Sequence, residues 1–272
     1  PCSTRGKRRQ LNDRPWPPAG TRSEDISAST SNRGAVTGSR DGGRGGDTTT
    51  DSGGAEFAVL FDMDGVLLQG RGTDPAVHAR ALDDVLAARG MDVAEEHRAT
   101  LSTYEYTDAF VDACAAVGVD AEAFYTAREE RSAARTVDHA ATRDLFDDID
   151  ALDRLPDRVA VGLVSNNYHR TVEFVVDRFD LTAFDVAHGR ELGPVGFSRR
   201  KPEPYYLETA LDALGATDGI YVGDRETDVV AADRAGLDSA FLRREHNSGV
   251  ELGVDPTVEI DGLDEVVDVI GE

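Results

Sequence analysis

The stretch Phe57-Ala58-Val59-Leu60-Phe61-Asp62-Met63-Asp64-Gly65-Val66 constrains this chain more than any other. A run of apolar, strand-forming residues stops at two aspartates two positions apart, and a glycine follows. A buried strand does not end in adjacent negative charge unless something cationic neutralises it. Strand residues two apart point the same way, so both carboxylates address one spot at the strand's C-terminal edge. Open α/β sheets bind their ligands at that edge. The simplest occupant is a hard divalent cation held by oxygen, with an anionic substrate beside it.

Charge divides the 272 residues unevenly. Residues 1–54 carry nine Arg/Lys and six Asp/Glu, a net of +3, whereas the remaining 218 carry 20 and 46, a net of −26. The acid is mostly aspartate, 34 Asp to 18 Glu, and the only lysines are Lys7 and Lys201. An Asp-rich, Lys-poor surface is the design expected in molar salt, where the Debye length falls to ~3 Å and self-repulsion is screened. The chain is therefore read as halophilic. Equal stability in dilute buffer and in molar KCl would refute that reading. So acidic a body argues against nucleic acid as a partner; the basic tail is the only candidate, and its charges are sparse. Cys2 and Cys114 form neither a disulfide framework nor a thiolate zinc site, and Cys114 reads as a small core residue. No run of about 18 apolar residues offers a membrane span, and the N-terminus lacks an apolar signal core, so the body is expected to be cytoplasmic.

Residues 1–54, rich in Gly, Ser, Thr, Arg and Pro, are expected to be a disordered tail. Gly42-Gly43-Arg44-Gly45-Gly46 follows no strand and opens no helix, so it is not a phosphate loop. The first methionine is Met63, and the tail is read as a misassigned gene start or a processed leader. From Phe57 onward, short apolar runs alternate with amphipathic segments. Strands are expected at Ala58–Asp62, Val159–Ser165, Val186–Gly189, Gly219–Gly223, Ser239–Leu242 and Thr257–Ile260. Helices are expected at Tyr168–Phe179, Pro204–Leu214, Thr227–Ala235 and Leu263–Ile270. The fold class is α/β: a doubly wound parallel sheet with helices on both faces. After the first strand the alternation stops for some ninety residues, with helical patterns near Ala76–Ala88, Ala94–Tyr104, Asp108–Val117, Ala121–His139 and Thr142–Leu152. The expected division is a core of 55–68 plus 154–272 and an inserted all-α cap, 69–153, lying over the first strand's end as a lid.

Three further signals mark strand ends. Val161-Gly162-Leu163-Val164-Ser165-Asn166-Asn167 ends in hydrogen-bonding residues, Lys201-Pro202-Glu203-Pro204 opens a helix, and Tyr221-Val222-Gly223-Asp224-Arg225-Glu226-Thr227-Asp228 ends a strand with two aspartates four apart. Lys201 is the lone lysine of a body with 19 arginines, which marks a place where a compact ammonium is wanted. The six histidines show no ligand spacing, and His169 and His188 read as surface or packing residues near the rim.

Taken in order, these four elements resemble the haloacid dehalogenase superfamily, in particular its phosphatase branch. The resemblance runs from about Phe57 to the C-terminus, and the insert lies where that family carries a helical type-1 cap, as in phosphoglycolate phosphatases and β-phosphoglucomutases. It implies a Rossmann-like core and a small phosphorylated substrate. Asp62 would be the nucleophile, forming an aspartyl-phosphate, and Mg²⁺ would bridge carboxylate and phosphate. The metal ligands would be Asp62, the Asp64 main-chain carbonyl, Asp224, and Asp228 directly or through water. The Asp64 side chain would act as general acid and then as base. Ser165 and Lys201 would bind the phosphoryl oxygens, with Asn166 as a further donor. The resemblance disfavours dehalogenation, because the position of Asp64 is not acidic in those enzymes. A phosphomutase shares the whole constellation. A non-enzymatic phosphoryl-accepting module would be smaller, would carry its acids after a different strand and would lack the helical insert. A binding protein without catalysis would not keep every reactive position filled.

Overall fold

The structure, a computed structural model, describes residues 57–271. The expectation of disorder for residues 1–54 lies outside them. Six parallel strands form one sheet in the order β3-β2-β1-β4-β5-β6: β1 Phe57–Phe61, β2 Ala160–Tyr168, β3 Val186–Arg190, β4 Asp218–Gly223, β5 Asp238–Leu242 and β6 Val258–Ile260. Phe61 aligns with Leu163 on β2 and with Val222 on β4, so the three strand ends that carry the motifs lie side by side. Alternate β1 residues serve opposite faces: Val59 and Phe61 join one apolar cluster, Ala58 and Leu60 the other. Covering on both faces is why β1 reads as continuous apolar sequence.

Four helices fill the interval between β1 and β2: α1 Pro75–Arg89, α2 Glu95–Leu101, α3 Asp108–Ala116 and α4 Ala121–Ala140. Three of the four starts, those of α1, α3 and α4, are capped by a side chain. Asp74 accepts from the Ala76 amide and Pro75 opens α1, Thr107 accepts from Phe110, and Asp120 accepts from Ala123. They enclose their own apolar cluster around Leu82, Leu86, Phe110, Phe124 and Cys114. Cys114 is buried there, and burial pushes its thiol up to about 11.

The helix expected at Thr142–Leu152 does not form. Residues 142–148 return instead as an irregular segment against the outgoing chain, where Gln69 N donates to Asp144 O and Phe146 N to Leu67 O, each across 2.9 Å or less. Only Ile149–Arg154 turns, as a 3₁₀ segment. Long-range pairing of the two chain crossings outweighs the local helical pattern. The remaining helices are α5 His169–Arg178, α6 Gly193–Ser198, α7 Tyr205–Leu214, α8 Glu226–Arg234 and α9 Asp264–Gly271. The sequence reading missed α6, a single short turn whose Gly-Pro-Val-Gly sequence is poor in helix formers.

The four-helix insert is fastened to the core by a fully buried ion pair between Glu129 on α4 and Arg190 at the end of β3. Gly193 N also donates to Glu129 across 2.6 Å, and Arg190 Nε donates to the Tyr104 hydroxyl across 3.0 Å. Beside this network His78 on α1 meets Ser132 Oγ at 3.1 Å. Burial, then the charges of Arg128 and Arg190, lowers its pKa to about 4. An unfolded histidine titrates near 6.5, so the neutral ring stabilises the fold above about pH 6.5, and this contribution is lost as pH falls towards 4. His78→Gln is expected to flatten the acid limb of a stability–pH profile by on the order of 2–3 kcal/mol. An unchanged acid limb would show that the buried ring does not control it. Among the described residues no helix is long and apolar enough to cross a membrane.

Candidate active site

The β1 chain leaves the sheet through a tight turn. Asp62 N still donates to Val222 O on β4 across 2.9 Å, and the Leu67 and Leu68 amides both turn back onto Met63 O. Gly65 sits at φ +76°, and a Cβ there would fall 2.1 Å from Asp224 Oδ2. Glycine is therefore required twice, for the left-handed backbone and for the close approach. Gly65→Ala is expected to cost at least about 1–2 kcal/mol in chemical denaturation, because it adds left-handed strain to a clash with a buried carboxylate. Wild-type stability in that variant would contradict the packing.

Asp62, Asp224 and Asp228 each place a carboxylate oxygen within 4.8 Å of the others, and all three are buried. Lys201 Nζ lies 3.0 Å from Asp62 Oδ1 and 2.8 Å from Asp228 Oδ1, and donates to the Tyr221 hydroxyl across 2.5 Å. The phenol in turn donates to Val164 O across 2.8 Å. Burial alone would pull the ammonium down, but Asp228 and Asp62 outweigh it and raise its pKa above the ordinary lysine value. Three carboxylates face one ammonium and a half-exposed guanidinium, Arg225 Nε at 3.7 Å from Asp224 Oδ1, so negative charge remains in excess. The strain appears at Asp224, where burial, then the charges of Asp62 and Asp228, pushes the carboxyl up to about 8. Asp62 Oδ1 makes its ion-pair contact without hydrogen-bond alignment, and it and Asp224 Oδ1 are buried without a hydrogen-bond partner. Two buried carboxylate oxygens that accept no hydrogen bond, in an over-negative, all-oxygen cluster, fit a hard divalent cation. Asp228 is different: its Oδ2 accepts from the Asp224 and Arg225 amides across 3.2 and 3.0 Å at the start of α8. It secures the loop as well as the lysine.

β2 runs past Ser165, and its pairing with β3 shifts register between Ser165 and Tyr168, which turns the polar residues out over the sheet edge. Ser165 Oγ accepts from Asn167 N across 3.2 Å, and its own O–H remains available to donate. Asn166, expected to donate to a phosphoryl group, uses Oδ1 and one amide hydrogen on the main chain of Lys201, across 2.9 and 3.1 Å. Its observed action is to fix the loop that delivers the ammonium. Asp64 stands apart from the three-carboxylate cluster. Arg143 Nη1 donates to its Oδ1 across 2.5 Å, and Asn167 Nδ2 donates to its Oδ2 across 2.5 Å. Arg143 also donates from Nε to Gln69 O across 2.6 Å, which ties the two chain crossings between helices and core to Asp64.

Between the sheet edge and the four-helix insert lies a cavity of about 880 Å³. Asp62, Asp64, Ser165, Asn166, Lys201 and Asp228 face it from the core, and His78, Ser102 and Tyr104 from the insert. The sequence reading gave no site role to Arg143, Asn167 or His246. His246 Nε2 lies 2.6 Å from Asp224 Oδ2, although the histidines singled out were His169 and His188. Those two stack on each other, ring centroids 6.3 Å apart. The available signal for His246 was its place just beyond a strand's C-terminal end.

A family model described as haloacid dehalogenase-like hydrolase matches residues 58–236. No curated protein matches the chain significantly. Among solved structures, a candidate phosphoglycolate phosphatase from Lactobacillus plantarum is 18% identical with TM-score 0.51, covering 78% of this chain and 98% of that one. CbbY from Rhodobacter sphaeroides, in complex with phosphate, is 20% identical with TM-score 0.51, covering 80% and 100%. A 2-haloacid dehalogenase from Pseudomonas syringae is 21% identical, also with TM-score 0.51, covering 79% and 98%. At these identities the likeness is one of fold, and it is shared equally by enzymes of different reaction. The family model spans most of the chain and takes in the strand-end carboxylates, Ser165 and Lys201: this chain belongs to the haloacid dehalogenase-like hydrolase family.

Proposed function

We propose that the protein is a Mg²⁺-dependent phosphatase of small phosphate monoesters that works through an aspartyl-phosphate on Asp62. The observation that carries this reading is the over-negative cluster of Asp62, Asp224 and Asp228 closed by the single ammonium of Lys201. Asp62, Asp224 and the Asp64 main-chain carbonyl would hold the cation, with Asp228 beside them. Bound Mg²⁺ supplies charge neutralisation between the nucleophile and an anionic phosphoryl group. The Asp62 carboxylate attacks phosphorus. Lys201 and the Ser165 hydroxyl meet the phosphoryl oxygens as charge redistributes, while Asn166 keeps the Lys201 loop in register. Asp64 protonates the departing alkoxide and then takes a proton from the water that hydrolyses the aspartyl-phosphate. To do so it gives up one of its two acceptor bonds, to Arg143 or to Asn167.

Asp64 favours phosphoryl transfer over dehalogenation, which has no alkoxide to protonate. A phosphomutase would use the same groups, and a sugar phosphate assayed for released phosphate against isomerised product separates the two. The halophilic and cytoplasmic readings of the acidic body set the assay conditions. A panel of phosphate esters, phosphoglycolate included, in molar KCl is expected to release phosphate with Mg²⁺, to stop with a chelator and to recover when Mg²⁺ is restored. Turnover indifferent to chelation would refute the metal requirement.

A further inference from the structure

One short turn seats Asp224 from two directions. The turn Glu245–Asn247 follows β5. Asn247 Nδ2 donates to the main-chain oxygens of Asp224 and Leu242, each across 2.9 Å, and its Oδ1 accepts from Arg244 N across 2.7 Å. The turn is thereby tied to the ends of β4 and β5. Its position brings His246 Nε2 to 2.6 Å from Asp224 Oδ2. From the other side Gly65 packs so closely that an added Cβ would lie 2.1 Å from that same oxygen and 3.0 Å from His246 Nε2. Oδ2 is therefore enclosed between a backbone and an imidazole. Oδ1, buried and without a hydrogen bond, is the oxygen left for the cluster, with Arg225 Nε at 3.7 Å. Asp62 and Asp228 face Lys201, and two main-chain amides also hold Asp228, whereas Asp224 Oδ2 meets His246.

We propose that His246 is a positioning residue of the metal centre: its Nε2–H holds Asp224 Oδ2 and fixes Oδ1 towards the cation site. This rests on the reading of the cluster as a divalent-metal phosphoryl centre. A ligating carboxylate is ionised and can only accept, so Nε2 carries the hydrogen. The imidazole is also anchored through its main chain, where Arg71 Nη2 donates to His246 O across 2.6 Å. Partners of this kind set the orientation of the ligand, and their loss typically costs about 10–100-fold in metal affinity.

The test is calorimetric titration of Mg²⁺ into the metal-stripped full chain in high salt, for the wild type, His246→Ala, His246→Gln and His246→Met. Glutamine places an amide N–H where Nε2 stands, and methionine fills the space without a donor. The alanine and methionine variants are expected to bind Mg²⁺ about 10–100-fold more weakly. Glutamine is expected to restore most of the affinity, with KM for p-nitrophenyl phosphate at saturating Mg²⁺ unchanged. Should alanine fail to fold, the glutamine–methionine comparison decides. Equal Mg²⁺ affinity with and without the donor overturns the role of His246 while leaving the phosphatase reading intact. Absence of Mg²⁺ binding in the wild type removes the phosphatase reading, and this inference with it.

Discussion

Asp62→Asn is expected to lose Mg²⁺-dependent release of phosphate from p-nitrophenyl phosphate by on the order of 10⁴-fold or more, the scale on which enzymes lose turnover with their nucleophile. The amide keeps the shape of the carboxylate but cannot attack phosphorus, and it withdraws one charge from the cluster. The fold should survive, because the strand-end main chain is fixed independently by the Asp62 N to Val222 O bond. The Asp224 carboxyl, held up to about 8 by burial and then by Asp62 and Asp228, should titrate at lower pH once the Asp62 charge is gone. A cooperative melt like that of the wild type, with turnover gone, separates chemistry from folding. Turnover within tenfold of wild type would displace Asp62 as nucleophile.

Lys201→Met is expected to harm both stability and activity. Removing the ammonium leaves Asp62 and Asp228 buried without their counter-charge, and breaking a buried pair in this way costs about 3–5 kcal/mol. Chemical denaturation in metal-free buffer at neutral pH should show a loss of that size. The deficit should narrow towards acid pH, where the orphaned carboxylates take up protons. In the wild type the sign runs the other way. The folded pKa of Lys201 stands above the ordinary 10.5, so its stabilisation is complete below about pH 10.5 and is lost only as pH rises through the folded value. Phosphate release should fall on the order of a thousandfold, as for loss of a single preorganised charge donor. A variant as stable as the wild type would mean that the ammonium does not compensate the cluster.

The parts of this molecule that could be read from sequence are those in which neighbouring residues carry both the fold and the chemistry. β1, β2, β4 and β5 appear as apolar runs because they are buried, and Asp62, Ser165 and Asp224 stand out because each ends such a run, whereas the edge strands β3 and β6 are only partly buried. Lys201 stands out for a compositional reason, as the one lysine of an arginine-using body. Groups that reach the site from remote sequence were not legible. Arg143 contacts Asp64 from 79 positions away because the chain crosses back beside its own exit, and that same pairing cancelled the helix expected at Thr142–Leu152. His246 meets Asp224 from 22 positions away through a turn with no helical or strand period. Asn166 and Asn167 looked equivalent as adjacent donors, and only the register shift at the end of β2 separates them. Asn166 pairs with the Lys201 main chain and Asn167 with Asp64.

In the proposed mechanism a phosphoryl group passes through the Asp62 carboxylate. Acid-quenching a single turnover with Mg²⁺ and a phosphate ester, followed by peptide mass spectrometry, reads this directly. One phosphoryl group is expected on the peptide containing Asp62, formed and lost no more slowly than phosphate is released, and absent from Asp62→Asn. Phosphate release at the wild-type rate with no phosphorylated peptide, or with the label on another residue, would contradict it.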